Sequence, residues 1–423
     1  MYVENEILIN NPYSHYSCGY HDLSPFSPDA KYLVFCSINT RDFKTSVVFS
    51  KNNTYVDINL FEIDTKRITF LYKTKCYTTE QGVRINWIDN KRITINDLDK
   101  NKIPQFIIYN VESMKIERVV SNYFCHQIAG LKKELCVSFD YSQIHNDWPS
   151  YGFHHNHSKL QTENSLNIFN WQTNTLLHRF NLIDLESYKK YNCGFIVHPS
   201  ISNDGKKIIF MHRIPIEDII YSWLYYVDLN SLKLHLITEE KVTHFTWINN
   251  DQFLIYQRLF PKFIKEKRIK NYQHKNIKRS FYISKPVIAN LKNRGFLKLK
   301  NFLKKFIAKI SSGFVIYNTK NKRIKGKLIS LNLLGIDGHP FFNRKKNKIY
   351  LDTYPNRNKF VEIYSIDLKK PLFAKKEKVL KGDWETKIGK LDAHLRVSEK
   401  GNFICIDEIF KQIRSIKIFK IDN

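Results

Sequence analysis

Residues 27–36 read SPDAKYLVFC, a polar turn followed at once by apolar and aromatic residues. Asp in such a turn accepts hydrogen bonds from nearby backbone N–H groups, and aliphatic and aromatic residues are typical of β-strands. The same order returns at residues 202–212, which read SNDGKKIIFMH. The stretch therefore predicts a tight turn that leads into a strand, and it predicts that this unit is repeated along the chain.

Two series of short strands can be followed through the whole sequence. The first contains apolar strands that follow a turn, at residues 32–36, 92–97, 134–139, 207–212, 252–257, 348–353 and 403–408. The second contains aliphatic and aromatic strands that end in Asn or Asp, at residues 60–64, 108–110, 168–170, 225–228, 316–318, 363–367 and 418–422. The two series alternate strictly and have seven members each, which indicates seven copies of one unit.

Seven copies of a four-stranded unit predict an all-β fold, a seven-bladed β-propeller that occupies residues 1–423 as a single domain. A pair of β-sandwiches is the alternative that short, regularly spaced strands leave open. The seventh unit stops after its third strand because the chain ends at Asn423. Residues 4–9, ENEILI, are expected to supply the missing strand and close the ring, which would remove the free strand edges.

Composition limits the class of protein. With 43% hydrophobic and 14% aromatic residues, the 423-residue chain can bury a large core, which excludes wholesale disorder. Its seven cysteines are scattered without a C-x-x-C pair, so they predict reduced thiols rather than a zinc ribbon or a disulfide framework. The N-terminal residues show no apolar signal-peptide region, and no run of about eighteen apolar residues occurs. We therefore expect a cytoplasmic protein.

The net charge of +28 predicts a polyanionic neighbour. More than half of this excess lies in residues 261–312, which contain sixteen Lys or Arg residues and one acidic residue, Glu266. The regular strand spacing also fails here, between the second and third strands of the fifth unit. Residues 261–312 are therefore predicted to be an insertion in blade five with a net charge of +15.

The second half of the insertion, residues 287–310, is predicted to be a basic amphipathic helix. Its apolar residues recur at helical spacing, and lysines fall largely between them. Three partners remain open for such a helix. It could dock on an anionic membrane surface, which would place the protein at the inner face of the membrane. It could instead pack on the rim of the propeller. Nucleic acid is the least favoured partner because no recognised binding module is present.

Residues that precede the first series of strands are expected on the innermost strands, facing the central channel. They include one histidine in each of units four to seven, namely His198, His244, His339 and His394. Imidazoles that converge on one axis are typical of a divalent metal site, whereas a single histidine before a proline can also cap a turn. A second cluster, HHNH at residues 154–157, lies in a polar loop and is expected to be exposed to solvent.

Short motifs along the chain resemble those of propellers related to oligogalacturonate lyase, a family found with bacterial surface-polysaccharide genes. The first is YHDLSPFSPD at residues 20–29, and the others follow in the order of the blades. In blade two they lie at residues 81–82, at Trp87 and at 96–97. Blades three, four and five carry them at 149–153, 210–213 and 243–247. In blade six they lie at 337–340 and 352–355, and in blade seven at 392–396 and at Asp407. The resemblance covers nearly the whole chain except the insertion.

The resemblance implies a manganese-dependent lyase that acts on uronic-acid-containing oligosaccharides. By position it implies His198 as the catalytic base and His244 and His339 as metal ligands. Asp337 stands about where the lyase has a further histidine ligand. A carboxylate is an acceptable ligand for a hard divalent cation, so we expect Asp337 in the metal site.

The catalytic arginine of the lyase has no clear counterpart in this sequence. Arg213 and Arg396 are the candidate substitutes. The residues expected to contact substrate in the channel are Asp22, Gln81, Gln143, Tyr151 and His394. The family pattern is therefore matched better in its histidines than in its arginine.

Two classes of function follow from these observations. The leading hypothesis is a metal-dependent enzyme, with manganese as its ion, that cleaves an acidic, uronate-containing glycan by β-elimination in surface-polysaccharide metabolism. Loss of the proton next to a uronate carboxylate needs a cation that stabilises the resulting enediolate. The alternative is a non-catalytic propeller that binds a glycan or a protein partner through its channel, docked on a membrane by the basic insertion. The sequence does not decide the oligomeric state.

Overall fold

The structure is a computed structural model of the chain. It describes residues 6–40, 55–130, 132–139, 141, 144, 151–153, 165–216, 219–239, 241–258, 312–320, 326–386 and 389–421. The predicted insertion lies outside the described residues except for Ser312, and the HHNH cluster and Gln143 also lie outside them. The predictions for these segments therefore stay predictions.

Within the described residues, seven four-stranded antiparallel sheets form the blades of a seven-bladed propeller, as predicted. From the innermost to the outermost strand, the first three blades are Ser14–Ser17, Tyr32–Asn39, Val56–Glu62 and Ile68–Thr74; Asn86–Trp87, Arg92–Leu98, Pro104–Asn110 and Lys115–Ser121; Gln127–Ile128, Leu135–Ser138, Ser165–Asn170 and Thr175–Asn181. Blades four and five are Phe195–Ile201, Lys207–Ile216, Ile219–Asp228 and Lys233–Thr238; Lys241–Trp247, Gln252–Arg258, Ser312–Asn318 and Lys327–Ile329. Blades six and seven are Gly338–Asn343, Lys348–Thr353, Phe360–Asp367 and Lys375–Lys381; Arg396–Val397, Phe403–Phe410, Ile413–Lys420 and Glu6–Ile9. The two predicted series are the second and third strands of each blade.

The ring is closed by its first strand, as the unpaired last unit predicts. Glu6–Ile9 pairs antiparallel with Ile413–Lys420, from Glu6 opposite Phe419 to Ile9 opposite Ile416. Ile9 is buried between blades seven and one. The N-terminal strand thus becomes the outermost strand of blade seven and covers an edge that would otherwise be free.

Apolar side chains pack in the seams between neighbouring blades. Seven clusters of buried side chains join blade one to two, two to three, and so on around the ring, and the last joins blade seven to blade one. Burial falls toward the rim: Leu135–Ser138 is buried at every position, whereas Lys115–Ser121 is exposed at every position but one. This gradient explains why the second and third strands carry the readable apolar pattern.

The polar turns that lead into the second strands are built alike in blades one, four and seven. In each turn a serine hydroxyl accepts a hydrogen bond of 3.0 Å from the N–H five residues later: Ser27 from Tyr32, Ser202 from Lys207, and Ser398 from Phe403. The hydroxyl in turn donates to the side chain of Asp29, Asp204 or Asn402. These turns fix where each second strand begins.

Helical structure is sparse in the described part of the chain. The helical elements described along their full length are the α-helix Glu186–Tyr191 and short 3₁₀ turns at Leu182–Asp184 and Leu331–Leu333. A two-stranded hairpin, Glu385–Thr386 with Gly389–Lys390, precedes blade seven. Among the residues described, no helix is long and apolar enough to span a bilayer.

Candidate active site

The backbone is irregular at three of the predicted channel histidines, His198, His244 and His394. His198 and His244 lie at register shifts in the innermost strands of blades four and five. His198 and His394 adopt left-handed backbone conformations, with φ of 51° and 45°. A histidine is strained in that conformation, and such strain concentrates at functional sites. The irregular geometry is therefore consistent with a function for the side chains that it directs.

Four imidazole rings from different blades converge. The ring centroids of His244 and His339 are 4.5 Å apart, and those of His339 and His394 are 4.6 Å apart. His21 of blade one lies 5.2 Å from His339 and 5.5 Å from His244. All four side chains are buried. We call these four residues the histidine cluster, and ring closure is what brings residues so distant in sequence into contact.

One set of side chains in this region has the spacing of a metal site. The candidate ligand atoms of His339, Asp392 and His394 all lie within 4.8 Å of one another. His339 Nδ1 bonds the Asp352 carboxylate at 3.0 Å, and its buried Nε2 has no hydrogen-bond partner among the described residues. Neither ring nitrogen of His394 has a partner there.

This donor set fits a divalent cation. Two imidazoles and a carboxylate suit Mn²⁺ and similar ions, and a carboxylate behind the opposite nitrogen, as Asp352 stands behind His339, orients a ligating histidine. Unpartnered buried ring nitrogens are costly unless a ligand engages them. Asp392 is half-buried, and burial raises the pKa of its carboxyl group above the ordinary value.

His244 and Asp337, both predicted as metal ligands, form a pair with each other. His244 Nδ1 lies 3.1 Å from Asp337 Oδ1, and Thr243 Oγ1 donates to the same carboxylate at 3.0 Å. Burial lowers the pKa of His244 and outweighs the opposing effect of Asp337. Burial acts to raise the pKa of Asp337, but the electrostatic interaction with His244, together with the hydrogen bonds from His244 and Thr243, outweighs it and keeps that pKa below its usual value. The pair is therefore a neutral imidazole oriented by an ionised carboxylate.

In a neutral imidazole beside an acceptor-only carboxylate, the proton sits on the nitrogen that faces the carboxylate. Nδ1 of His244 therefore carries the proton, and Nε2 offers a lone pair. This is the arrangement of an oriented general base. Asp337 and His244 thus border the His339–Asp392–His394 set without belonging to it.

His198 lies on the other side of the histidine cluster, within an aromatic group. Its ring stacks on Tyr20 with a centroid distance of 4.9 Å and meets the edge of Tyr151 at 5.1 Å. Burial, reinforced by the charge of Arg213, holds the pKa of His198 well below its usual value. The Arg213 guanidinium lies 5.2 Å from the centre of the Tyr151 ring, and its Nε has no hydrogen-bond partner among the described residues. Arg213 therefore retains bonding capacity near His198 and Tyr151, as Arg396 does at its Nη2, which also has no hydrogen-bond partner among the described residues.

Two other predicted residues are engaged in buried ion pairs. Asp22 accepts two hydrogen bonds from the fully buried Arg84, at 2.6 and 2.9 Å. Arg396 Nη1 donates to Asp407 at 2.9 Å, and both side chains are fully buried. The pair of Asp22 and Arg84 connects blade one to blade two, and the pair of Arg396 and Asp407 stabilises blade seven. The predicted roles of Asp22 and Arg396 toward substrate stay predictions, as does that of Gln81, which is buried with both amide atoms unpartnered within the described residues.

Three residues at the site were given no functional role by the sequence. Asp392 is only two residues from His394, Glu80 immediately precedes Gln81, and Tyr354 lies within the motif at residues 352–355. Burial, with a contribution from the charge of Asp392, raises the pKa of Glu80 to about 7. Their positions beside predicted residues were the available signal, and the structure shows that Tyr354 contacts His244 and that Asp392 lies close to His339 and His394.

Comparisons with known proteins agree with this architecture. No family model matches the chain, and no curated protein matches it. Among solved structures, an oligogalacturonate lyase from Vibrio parahaemolyticus is similar, with a TM-score of 0.55 and 12% identity over 99% of this chain and 97% of that one. An oligogalacturonate lyase in complex with manganese has a TM-score of 0.57 and 10% identity, covering 100% of this chain and 99% of the other. At this identity the likeness establishes the shared fold, and it confirms the resemblance at that level.

Proposed function

We propose that this propeller is a metal-dependent lyase that cleaves a uronate-containing glycan by β-elimination. The observation that carries the proposal is the placement of a metal-competent set, His339, Asp392 and His394, beside a base oriented by a carboxylate, His244 with Asp337. Removal of a proton next to a carboxylate needs these two functions together. The fold shared with oligogalacturonate lyases supports the same reaction class.

The metal-competent set and the base have separate tasks in this reaction. A divalent cation bound by His339, Asp392 and His394 would neutralise the substrate carboxylate and make the neighbouring proton more acidic. His244 accepts that proton at Nε2, while Asp337 keeps the other ring nitrogen protonated and stabilises the imidazolium that results. His198, the base implied by the resemblance, is also neutral, but within the described residues no carboxylate bonds its ring. The geometry therefore favours His244 as the base.

Arg213 is the residue best placed to hold the acidic substrate. Its guanidinium is mostly buried, lies beside Tyr151 and His198, and retains an unpartnered Nε within the described part of the chain. A guanidinium matches a carboxylate in charge and geometry. We therefore assign Arg213 to uronate binding, with the neighbouring Tyr151 supplying an aromatic ring against which a sugar can pack.

The proposal is tested by incubating the chelator-treated protein with a panel of uronate glycans, with and without added Mn²⁺. We expect ultraviolet absorbance from an unsaturated product only with the ion present. His244→Ala should lower kcat by about 100-fold or more, the usual contribution of a general base, while the protein still binds Mn²⁺. His178→Ala, on the outermost strand of blade three, is the control and should behave as the wild type.

The non-catalytic alternative predicts a different result from the same panel. A glycan-binding propeller would bind one of these glycans with equal affinity before and after chelation and would yield no unsaturated product. That outcome would reject the lyase proposal.

A further inference from the structure

Tyr354 is the phenol placed against the proposed base. It directly follows the second strand of blade six, Lys348–Thr353, and its side chain stays 39% exposed. Its hydroxyl lies 3.4 Å from His244 Nε2, and its ring centroid lies 5.1 Å from that of His339. Tyr20, by contrast, is 4% exposed and stacks on His198. Tyr354 thus combines contact with the base and access for a substrate.

The direction of the contact follows from the tautomer of His244. Asp337 accepts from Nδ1, so Nε2 carries the lone pair, and the Tyr354 hydroxyl is the donor in the pair. The phenolic oxygen keeps its own lone pairs for a substrate group. A proton can therefore move between the Tyr354 hydroxyl and His244 without a change in the position of either side chain.

We propose that the Tyr354 hydroxyl is the general acid that protonates the departing glycosidic oxygen. This proposal rests on the β-elimination proposed above. A sugar alkoxide is a poor leaving group and needs a proton as its bond to carbon breaks. A phenol beside the base can supply that proton on the same face of the substrate from which the first proton leaves.

His244 and Tyr354 together account for every proton that moves in this reaction. His244 Nε2 takes the proton from the carbon next to the carboxylate, and the electrons of that C–H bond form the new double bond. The bond from the neighbouring carbon to the glycosidic oxygen breaks, and its electrons go to that oxygen, which takes the phenolic proton. The imidazolium then returns its proton to the phenolate. No proton is gained or lost, and both residues are restored for the next turnover.

The test compares two leaving groups in Tyr354→Phe. On a uronate oligosaccharide we expect kcat to fall by about 100-fold or more, the usual contribution of a general acid. On a uronide with fluoride at the carbon that carries the leaving group, which needs no proton to depart, we expect a rate close to that of the wild type. A residue that only shaped the site would impair both substrates equally, and that result would overturn the proposal.

Two controls separate this proposal from the proposed function. Tyr350→Phe removes a phenol from the same strand of blade six and should leave both rates unchanged. If the wild type eliminates neither substrate, the lyase proposal itself fails. If the wild type is active and Tyr354→Phe retains the full rate on the oligosaccharide, only the acid role fails.

A measurement without substrate tests the contact itself. In ¹⁵N NMR of the histidine rings, His244 should show a protonated Nδ1 and an unprotonated Nε2, and Tyr354→Phe should shift the Nε2 resonance by removing its hydrogen-bond donor. An unchanged Nε2 resonance would contradict the contact on which the acid role depends.

Discussion

Ser202 shows how a single side chain sets the start of a strand. It is fully buried, donates to Asp204 at 2.7 Å and accepts from Lys207 N at 3.0 Å. The turn was readable from the sequence because Ser, Asp and Gly stand at fixed positions before an apolar run. Ser27 and Ser398 repeat the arrangement, so one local rule placed several strands correctly.

The Ser202 hydroxyl is expected to stabilise the fold measurably. Ser202→Ala removes a buried hydroxyl and leaves the Lys207 N–H without its acceptor, which should lower the free energy of unfolding by about 1–3 kcal/mol. Urea denaturation checks this value, with Ser113→Ala in an exposed turn of blade two as the matched control. Equal stability of the two variants would show that the turn does not depend on the hydroxyl.

The residues of the candidate site were harder to predict than the turns. His339 was identified from its position, and Asp352 and Asp392 stand in motifs of the resemblance, but the hydrogen bond of His339 to Asp352 and its closeness to Asp392 came from the structure. The pairing of His244 with Asp337 joins residues 93 apart in sequence, so no local pattern reports it. Sequence position predicted that the histidines converge, whereas the division into ligands and base that we propose depends on hydrogen bonds between blades.

The short and irregular innermost strands explain why the sequence could not predict which side chains of the candidate site meet. Three of them, Asn86–Trp87, Gln127–Ile128 and Arg396–Val397, are two residues long and carry no periodic signal. Two more contain the register shifts at His198 and His244. A strand interrupted at its functional residue does not alternate regularly, so the sequence cannot show which way that side chain points.

The N-terminal strand is the element on which closure of the ring depends. Deleting residues 2–11 removes Glu6–Ile9, exposes the edge of Ile413–Lys420 and uncovers the seam filled by Ile9. We expect the free energy of unfolding to fall by about 3 kcal/mol or more. Burying one isoleucine contributes about 1.5–3 kcal/mol, and the hydrogen bonds between the two strands add to it.

Thermal melting tests the role of this strand against a matched truncation. Deleting only residues 2–5 keeps Glu6–Ile9 and should leave the melting temperature nearly unchanged. If the longer deletion melts at the same temperature as the shorter one, the ring does not depend on this strand for its stability.

The net charge of the whole protein differs from the local charge beside the histidine cluster. The chain carries a net charge of +28, yet the residues around the histidine cluster include four carboxylates, those of Glu80, Asp337, Asp352 and Asp392. Local acidity of this kind favours a cation in the channel. The net charge of the whole chain is therefore a poor guide to the charge at the candidate site.

The basic insertion is attached to the propeller between the second and third strands of blade five. Arg258 and Ser312, at its two ends, pair with each other in the sheet. The equivalent connection in blade six carries Tyr354, so Arg258 and Ser312 lie at the same end of blade five as Tyr354 does in blade six. The +15 charge and apolar spacing of residues 261–312 leave two main predictions open, packing on the rim of the propeller and docking on an anionic membrane.

The most direct test of the central claim is the amount of Mn²⁺ bound by the full-length protein after equilibrium dialysis. The account predicts about one ion per chain for the wild type and for the His178→Ala control, and none for His339→Ala or His394→Ala, because each of the latter removes one of three donors. A wild type that binds no divalent cation, or His339→Ala and His394→Ala variants that both retain the ion, would contradict it.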